Sequence, residues 1–171
     1  RKPHIMINVQ RLQIQGAYIL RSDPITDSRG HFFRWFCNQT LAEHGVDTHW
    51  VQANQSLTLE RGTVRGLHYQ IGEYAEQKLV RCIGGSVQGV IADISHGSPT
   101  FGQWFSVILS EFESISVLVP RTCAFGFQTL TSNATVTYLV DRPYSPDHEK
   151  GVRWNDPSLS IIWSLQVTHL S

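Results

Sequence analysis

The sequence lacks an excess of charge of either sign, because 14 Lys+Arg residues are matched by 14 Asp+Glu residues in 171 positions. A protein that binds nucleic acid through its phosphates normally carries a basic excess, and an acidic solvating tail gives the opposite bias. No apolar run approaches the roughly 20 residues that a membrane-spanning helix needs. These absences predict one soluble globular domain over residues 1–171 that binds neither nucleic acid nor membrane.

Cysteine is also scarce. The three cysteines, Cys37, Cys82 and Cys123, form no C-x-x-C pair, which argues against a disulfide framework or a zinc knuckle. Residues 1–8 contain no long apolar segment of the kind that a secretory signal carries. Together, these features predict a reducing, cytoplasmic location.

Lysine is the third scarcity, since only three of the 14 basic residues are lysines. Arginine grips phosphate and carboxylate groups through two parallel hydrogen bonds, whereas lysine more often serves as a solvated surface charge. The arginine bias therefore favours binding of an anionic group. Base composition or surface ion pairs would produce the same bias, and the count does not separate these explanations.

Alternating apolar and polar residues, rich in β-branched side chains, predict many short strands. The segments are 11–20, 78–83, 87–93, 104–109, 115–119 and 134–140. One short helix is predicted at 40–43, with Asn38 as its N-cap and Gly45 as its stop. Many strands and few helices indicate a β-sandwich, a jelly roll or a small barrel, and the pattern does not choose among them.

The segment RGLHYQ at 65–70 contains the histidine best placed for chemistry. In an extended strand, His68 and Gln70 lie on one face, and Arg65, Leu67 and Tyr69 lie on the other. Imidazole suits acid–base work near neutral pH. A histidine in a strand is nevertheless more often a hydrogen-bonded structural group, so the pattern alone leaves both roles open.

The same segment argues against a metal centre. A barrel that holds a metal usually offers a His-x-His pair with a following glutamate, whereas here Gln70 stands two positions after His68. Lys78 would face His68 from the next strand. We therefore expect no metal site, and we do not expect a metal-dependent oxygenase.

Nine segments spread over nearly the whole chain resemble the dTDP-4-dehydrorhamnose 3,5-epimerases, a family of cupin-type sugar-nucleotide enzymes. They are DSRGHFF (27–33), VQAN (51–54), RGLHYQ (65–70), KLVR (78–81), GSPTFGQW (97–104), VP (119–120), AFGF (124–127), YSP (144–146) and GVRWNDP (151–157). Each segment alone is a weak signal, but their order and spacing together indicate homology. The resemblance implies an all-β, cupin-type jelly-roll barrel with a few short helices, forming a homodimer and using neither metal nor cofactor.

The resemblance also implies an activity. Members of the family bind a nucleoside-diphosphate 4-keto-6-deoxyhexose in the barrel mouth, remove a proton from carbon 3 and often from carbon 5, and return it to the opposite face. Such a proton is too weakly acidic for imidazole alone, so the enolate must be stabilised as it forms. By resemblance, His68 is the base, Tyr138 is the acid, and Lys78 is the cation near the keto oxygen. Without the resemblance, Tyr138 would be read as an aromatic packed in a strand.

Substrate-binding positions follow from the same resemblance. They are Arg29, Arg34, Gln52, Asn54, Arg65, Phe125 and Tyr144. The resemblance assigns Arg29 and Arg65 to the diphosphate and places Tyr144 beside the base. The implied setting is the synthesis of bacterial cell-surface polysaccharide, such as O-antigen, or of antibiotic sugars.

Departures from the family pattern qualify these expectations. Phe125 stands where a histidine is usual, and Gly89 where an aspartate is usual. Loss of the second imidazole favours inversion at carbon 3 alone over inversion at carbons 3 and 5. The aspartate that pairs with the base in the family would lie just beyond Ser171. Without it, the alternative is a catalytically silent barrel that only binds a sugar nucleotide.

Arg34 is a further departure, because it replaces a glutamate at the nucleotide end of the site. A carboxylate accepts a hydrogen bond from the N–H of thymine, and an arginine does not. Arginine donates instead, to carbonyl oxygens or to phosphate. The nucleobase of the substrate is therefore expected to be thymine or guanine. The competing interpretation is that Arg34 points to solvent and does not contact the nucleotide.

Overall fold

The computed structural model describes residues 5–171, which form short strands, one α-helix and one 3-10 turn. The predicted absence of a secretory signal concerns residues 1–8, of which the first four lie outside the described residues. The strands are β1 (Ile7–Arg11), β2 (Tyr18–Ser22), β3 (Ile25–Asp27), β4 (Gly30–Phe32), β5 (Gln52–Thr58), β6 (Thr63–Gln70), β7 (Lys78–Gly84), β8 (Ser86–Asp93), β9 (Trp104–Ser110), β10 (Ile115–Val119), β11 (Cys123–Thr129), β12 (Ala134–Val140), β13 (Glu149–Gly151) and β14 (His169–Leu170). The helix α1 is Asn38–Glu43, and the 3-10 turn is Gly72–Tyr74.

Two antiparallel sheets make up the barrel. The first has the strand order β1-β2-β10-β7-β12-β5, and the second has the order β13-β6-β11-β8-β9, with β14 added in parallel to β6. The strands β3 and β4 form a separate hairpin. The apolar inner faces of both sheets pack on each other in one core, which includes Val80, Ile91, Val117 and Val136. The predicted all-β, cupin-type jelly roll is confirmed.

Period-two alternation explains how the strands divide their side chains between two layers. On β12, Val136 packs in the inner core and Leu139 in a cluster on the outer face of the first sheet. On β7, Val80 points inward and Leu79 outward in the same way. Complete burial of such an aliphatic side chain stabilises the fold by about 1.5–3 kcal/mol. Lys78 and Tyr138 therefore fall on the inner face, at the barrel's open end.

Both outer faces are covered by less regular chain. Leu41 of α1 and the half-buried Trp35 and Trp50 pack against the first sheet. Leu159 and Trp163, from the segment that follows β13, pack against the second sheet. In the described part of the chain, no helix is long and apolar enough to cross a membrane.

Two details differ from the sequence-based expectations. Segment 11–20 is not one strand, because a tight turn separates β1 from β2 and Gly16 adopts a left-handed φ of +80° there. The helix at 40–43 is confirmed, but its N-cap is Cys37 rather than Asn38. The Asn38 side chain instead accepts a hydrogen bond from the Thr48 hydroxyl at 2.9 Å.

Candidate active site

Two adjoining cavities open between the sheets and share His68, Lys78 and Tyr138 in their walls. The first cavity has a volume of about 230 Å³ and the second about 250 Å³. Polar residues dominate the rest of the first cavity, including Gln52, Asn54, Gln70, Glu76, Tyr144 and Glu149. The second cavity is lined further by Ser56, Arg65, Phe125, Gly126, Phe127 and Ser171.

An irregularity in β6 sets the directions of His68 and Arg65. Strict alternation places Arg65 on the face opposite His68, but both side chains line the second cavity, so that expectation was wrong. The reason lies between them: Gly66 has a φ of +94°, and the register of β6 with β11 shifts at this point. A Cβ on Gly66 would lie 2.7 Å from the carbonyl oxygen of Phe125. Only glycine fits this close approach of two strands.

The surroundings of His68 favour its neutral imidazole form. Its side chain is 47% exposed, and its Nδ1 lies 3.8 Å from Oε1 of Glu149. Partial burial lowers the pKa of His68 below its ordinary value of 6.5, and the nearby Lys78 charge lowers it further, while Glu149 opposes both. Tyr144 fixes Glu149 by donating its hydroxyl to Oε2 at 2.7 Å. A neutral imidazole in a cavity has the protonation state that a general base needs.

Lys78 brings a positive charge into the same space. Its side chain is 13% exposed, and its Nζ lies 3.2 Å from Oε1 of Glu76. The ammonium group is 5.9 Å from the centre of the Tyr138 ring. A cation held in a partly desolvated cavity stabilises a developing oxyanion more strongly than it would in water.

Tyr138 projects from β12 of the first sheet, whereas His68 projects from β6 of the second. Burial raises the pKa of Tyr138 above its ordinary value of 10, and the negative charges of Glu76 and Glu149 raise it further. The phenol therefore keeps its proton near neutral pH. The environments push the pKa values of the base and the phenol apart, as acid–base catalysis requires.

Polar groups for substrate binding extend to either side. In the first cavity, Gln52 donates its amide to Asn54 at 3.0 Å and accepts the backbone N–H of Tyr144 at 3.3 Å. In the second cavity, Arg65 donates its Nε to the Thr58 hydroxyl at 2.7 Å. These contacts fix the side chains before any ligand arrives, which lowers the entropic cost of binding.

The two departures at Phe125 and Gly89 are physically linked. Phe125 is buried, and a Cβ added to Gly89 would lie 3.4 Å from the Phe125 ring. A whole aspartate side chain would reach past its Cβ into the space that this ring occupies. The absence of a side chain at Gly89 therefore makes room for Phe125, and the second cavity gains an apolar wall.

Neither Arg29 nor Arg34 belongs to the walls of these cavities within residues 5–171. Arg29 lies between β3 and β4, where its side chain is 88% exposed and pairs with Asp27 at 2.7 Å. Arg34 is exposed, and its carbonyl oxygen accepts a hydrogen bond from Ser22. Their role in substrate binding stays a prediction.

Sequence reasoning missed two carboxylates, Glu76 and Glu149. Glu76 had a signal, because a residue two positions before Lys78 in an extended chain points to the same side. Glu149 had none, since only the pairing of β13 with β6, which sets Gly151 opposite His68, brings it to the imidazole. In the described part of the chain, no three His, Cys, Asp or Glu residues form a group that could hold a metal ion.

The fold and the site together define a class of protein: a cupin-type jelly roll with an imidazole, a phenol and an ammonium group in its mouth. These three groups suit an enzyme that moves a proton at a carbon next to a carbonyl. A family model described as dTDP-4-dehydrorhamnose 3,5-epimerase matches residues 11–171. The chain therefore belongs to the dTDP-4-dehydrorhamnose 3,5-epimerase family.

Individual relatives agree with this membership. The dTDP-4-dehydrorhamnose 3,5-epimerase of Sinorhizobium fredii is 38% identical over 161 residues, which is 94% of this chain and 83% of the relative. The solved structure of the Bacillus anthracis enzyme, with TDP and pyrophosphate bound, has a TM-score of 0.93 at 38% identity and covers 97% of this chain and 95% of its own. A 3′-monoepimerase from Streptomyces bikiniensis, in complex with dTDP-quinovose, has a TM-score of 0.88 at 31% identity and covers 95% and 82%.

Proposed function

We propose that this protein epimerises a nucleoside-diphosphate 4-keto-6-deoxyhexose at carbon 3. The observation that carries the proposal is the placement of His68 and Tyr138 on opposite sheets, lining the same cavities, with Lys78 beside them. A base on one side of a sugar and an acid on the other invert a carbon centre. The family membership and the sugar-nucleotide ligand of the Streptomyces bikiniensis relative support the substrate class.

The reaction consists of two proton transfers. Because Nδ1 of His68 faces Glu149, Nε2 is the nitrogen that takes the proton from carbon 3. The electron pair of that C–H bond moves towards carbon 4, and the keto oxygen becomes an enolate oxygen that the Lys78 ammonium group stabilises. Tyr138 then donates its proton to the opposite face of carbon 3, and the electron pair returns to restore the ketone. Solvent finally takes the proton of His68 and reprotonates Tyr138.

Binding of the nucleotide is proposed to involve a second copy of the chain. Arg65 lines the second cavity, where it can pair with a diphosphate. Arg29 lies on the separate β3–β4 hairpin and would have to reach a cavity from another subunit. The exposed position of Arg29 on that hairpin supports the proposed homodimer.

The position of attack and the nucleotide base are further parts of the proposal. Phe125 stands where a second imidazole is usual in the family. Its absence supports inversion at carbon 3 without inversion at carbon 5. The TDP bound by the Bacillus anthracis relative supports a thymine nucleotide, while the arginine at position 34 supports testing a guanine nucleotide beside it. The free thiols of Cys37, Cys82 and Cys123 support a cytoplasmic location.

One experiment tests this function. The protein is incubated with dTDP-linked and, separately, GDP-linked 4-keto-6-deoxyhexose in deuterated water, and deuterium is followed by NMR at carbons 3 and 5. We expect deuterium at carbon 3 with inversion. Deuterium at both carbons would contradict inversion at carbon 3 alone. No exchange with either nucleotide would support the alternative, a barrel that binds sugar nucleotides without catalysis.

A further inference from the structure

Glu76 is a largely buried carboxylate that the proton transfers described above do not use. Its side chain is 9% exposed, although a lone carboxylate is costly to bury. One oxygen, Oε1, lies 3.2 Å from Nζ of Lys78, and the other, Oε2, accepts the amide of Gln70 at 3.2 Å. Both oxygens are therefore engaged, one by the cation and one by the protein frame.

Hydrogen bonds of Gln70 form the frame that holds Glu76. The two N–H groups of the buried Gln70 amide are shared among Glu76 and the carbonyl oxygens of Tyr74 at 3.0 Å and Pro143 at 3.2 Å. Its carbonyl oxygen accepts the backbone N–H of Ser145 at 2.7 Å. Backbone groups of two separate segments, at Tyr74 and at 143–145, therefore fix Gln70, and through it Glu76, relative to the cavity.

Lys78 needs such an anchor. A lysine side chain has four rotatable bonds and loses considerable rotamer freedom when it is held in one place. Within residues 5–171, Glu76 is the only carboxylate that forms an ion pair with Lys78. The anchored ammonium group lies 5.9 Å from the centre of the Tyr138 ring.

We propose that Glu76 is a positioning residue, which holds the Lys78 ammonium group at the place where the enolate oxygen forms. Its catalytic consequence rests on the proposed epimerase function. Glu76 acts in two ways: it holds Lys78, and its negative charge raises the pKa of Tyr138. Glu76 is not among the groups that shift the pKa of His68. Removal of this charge should therefore change the basic limb of the pH profile, which Tyr138 sets.

The test compares Glu76→Gln with Glu76→Asp, which keeps the charge on a shorter side chain, and with Glu73→Gln. Glu73 is an exposed glutamate three residues away, in the 3-10 turn, and serves as the matched control. Because the chain has only three lysines, selective ¹³C labelling of the lysine Cε atoms gives a spectrum simple enough to follow Lys78 alone. Contact between the Lys78 Cε protons and the Tyr138 ring is measured as a nuclear Overhauser effect.

In Glu76→Gln we expect the contact between Lys78 and the Tyr138 ring to be lost and the Lys78 signal to sharpen towards that of a mobile side chain. With the sugar nucleotide, kcat should fall about 10²-fold with little change in KM, the size of effect that a misplacement of about 1 Å produces. Glu76→Asp should recover part of kcat, and Glu73→Gln should match the unaltered protein. The basic limb of kcat/KM should move to lower pH, because one of the charges that raise the pKa of Tyr138 is gone.

Two results would overturn the proposal. One is an unchanged Lys78 signal and ring contact in Glu76→Gln, which would show that Glu76 does not position the lysine. The other is a mobile Lys78 with unchanged kcat. If the unaltered protein exchanges no deuterium with any nucleotide, the epimerase function fails, yet the NMR comparison still decides whether Glu76 holds Lys78.

Discussion

The two walls of the barrel mouth shift the pKa values of their titratable groups in opposite directions. The wall built from β6 and β13 presents His68, whose pKa burial lowers, so that the imidazole is free to accept a proton. The wall built from β7 and β12 presents Tyr138, whose pKa burial raises, so that the phenol retains one. Burial disfavours the charged form of each group, so one physical effect favours both an imidazole that can accept a proton and a phenol that can donate one.

The carboxylates differ between the walls as well. Glu76 lies beside Lys78 and is largely buried, whereas Glu149 lies beside His68 and is about one-third exposed. The charge of Glu149 raises the pKa values of both His68 and Tyr138. Glu76 therefore acts on the groups of one wall, whereas Glu149 acts on the groups of both walls. Substitutions of the two carboxylates can separate these effects.

Removal of the proposed base, His68, should have the largest effect on the reaction. His68→Asn should lower deuterium exchange at carbon 3 by about 10³- to 10⁴-fold, because positioned general bases contribute up to about that much. The half-exposed side chain leaves the fold intact, which near-ultraviolet circular dichroism checks. His96→Asn, an exposed histidine outside both cavities, is the control. Exchange that survives in His68→Asn would remove His68 from the assigned role.

Removal of the Lys78 ammonium group affects the wall built from β7 and β12. Lys78→Met should lower kcat by about 10²- to 10³-fold, the usual cost of losing one group that stabilises an oxyanion. Lys150→Met, which changes an exposed lysine on β13, should leave kcat unaltered. Steady-state kinetics with the nucleotide sugar measure both variants. A Lys78→Met enzyme that loses only substrate affinity would show that the lysine binds substrate without stabilising the enolate.

Substitution of Glu149, the carboxylate shared by both walls, should give the smallest change in rate. It also compares the two walls most directly, through the two limbs of the pH profile. In Glu149→Gln, both limbs of kcat/KM should move to lower pH, because the lost charge raised the pKa values of both His68 and Tyr138. His68 works when neutral, so a lower pKa extends activity into acid, and Tyr138 works when protonated, so a lower pKa curtails activity in base. The rate at the optimum should fall by no more than about fivefold, since such exposed pairs are weak.

Glu113→Gln, an exposed residue that pairs with Arg21, is the control for that profile. Movement of only one limb in Glu149→Gln would show that Glu149 serves a single wall, as Glu76 is proposed to do.

The strand pattern predicted much of the fold for a clear physical reason. Period-two alternation on β12 and β7 reflects two buried faces, and β10 and β12 have the predicted bounds Ile115–Val119 and Ala134–Val140. Alternation failed where the backbone is irregular, as at Gly66, because a positive φ changes the side to which Arg65 points. The tight turn at Gly16 divided a predicted strand in the same way.

The candidate site was predictable only in part. The resemblance named His68, Lys78 and Tyr138, and the structure brings these three together. It did not name Glu149, which reaches the imidazole through strand pairing between residues distant in sequence. Such contacts depend on the register of a sheet edge, and a single sequence contains no local signal for that register.

The division of labour between the walls is tested most directly by measuring deuterium exchange and inversion at carbon 3 together in Tyr138→Phe. The variant keeps His68 and Lys78, so the proton should still leave, but the group that returns it to the opposite face is lost. We predict that exchange persists while inversion falls by at least about 10²-fold, the lower range for a positioned acid. If exchange and inversion fall by the same factor, or if inversion persists, Tyr138 is not the acid and the account of two opposed walls is wrong.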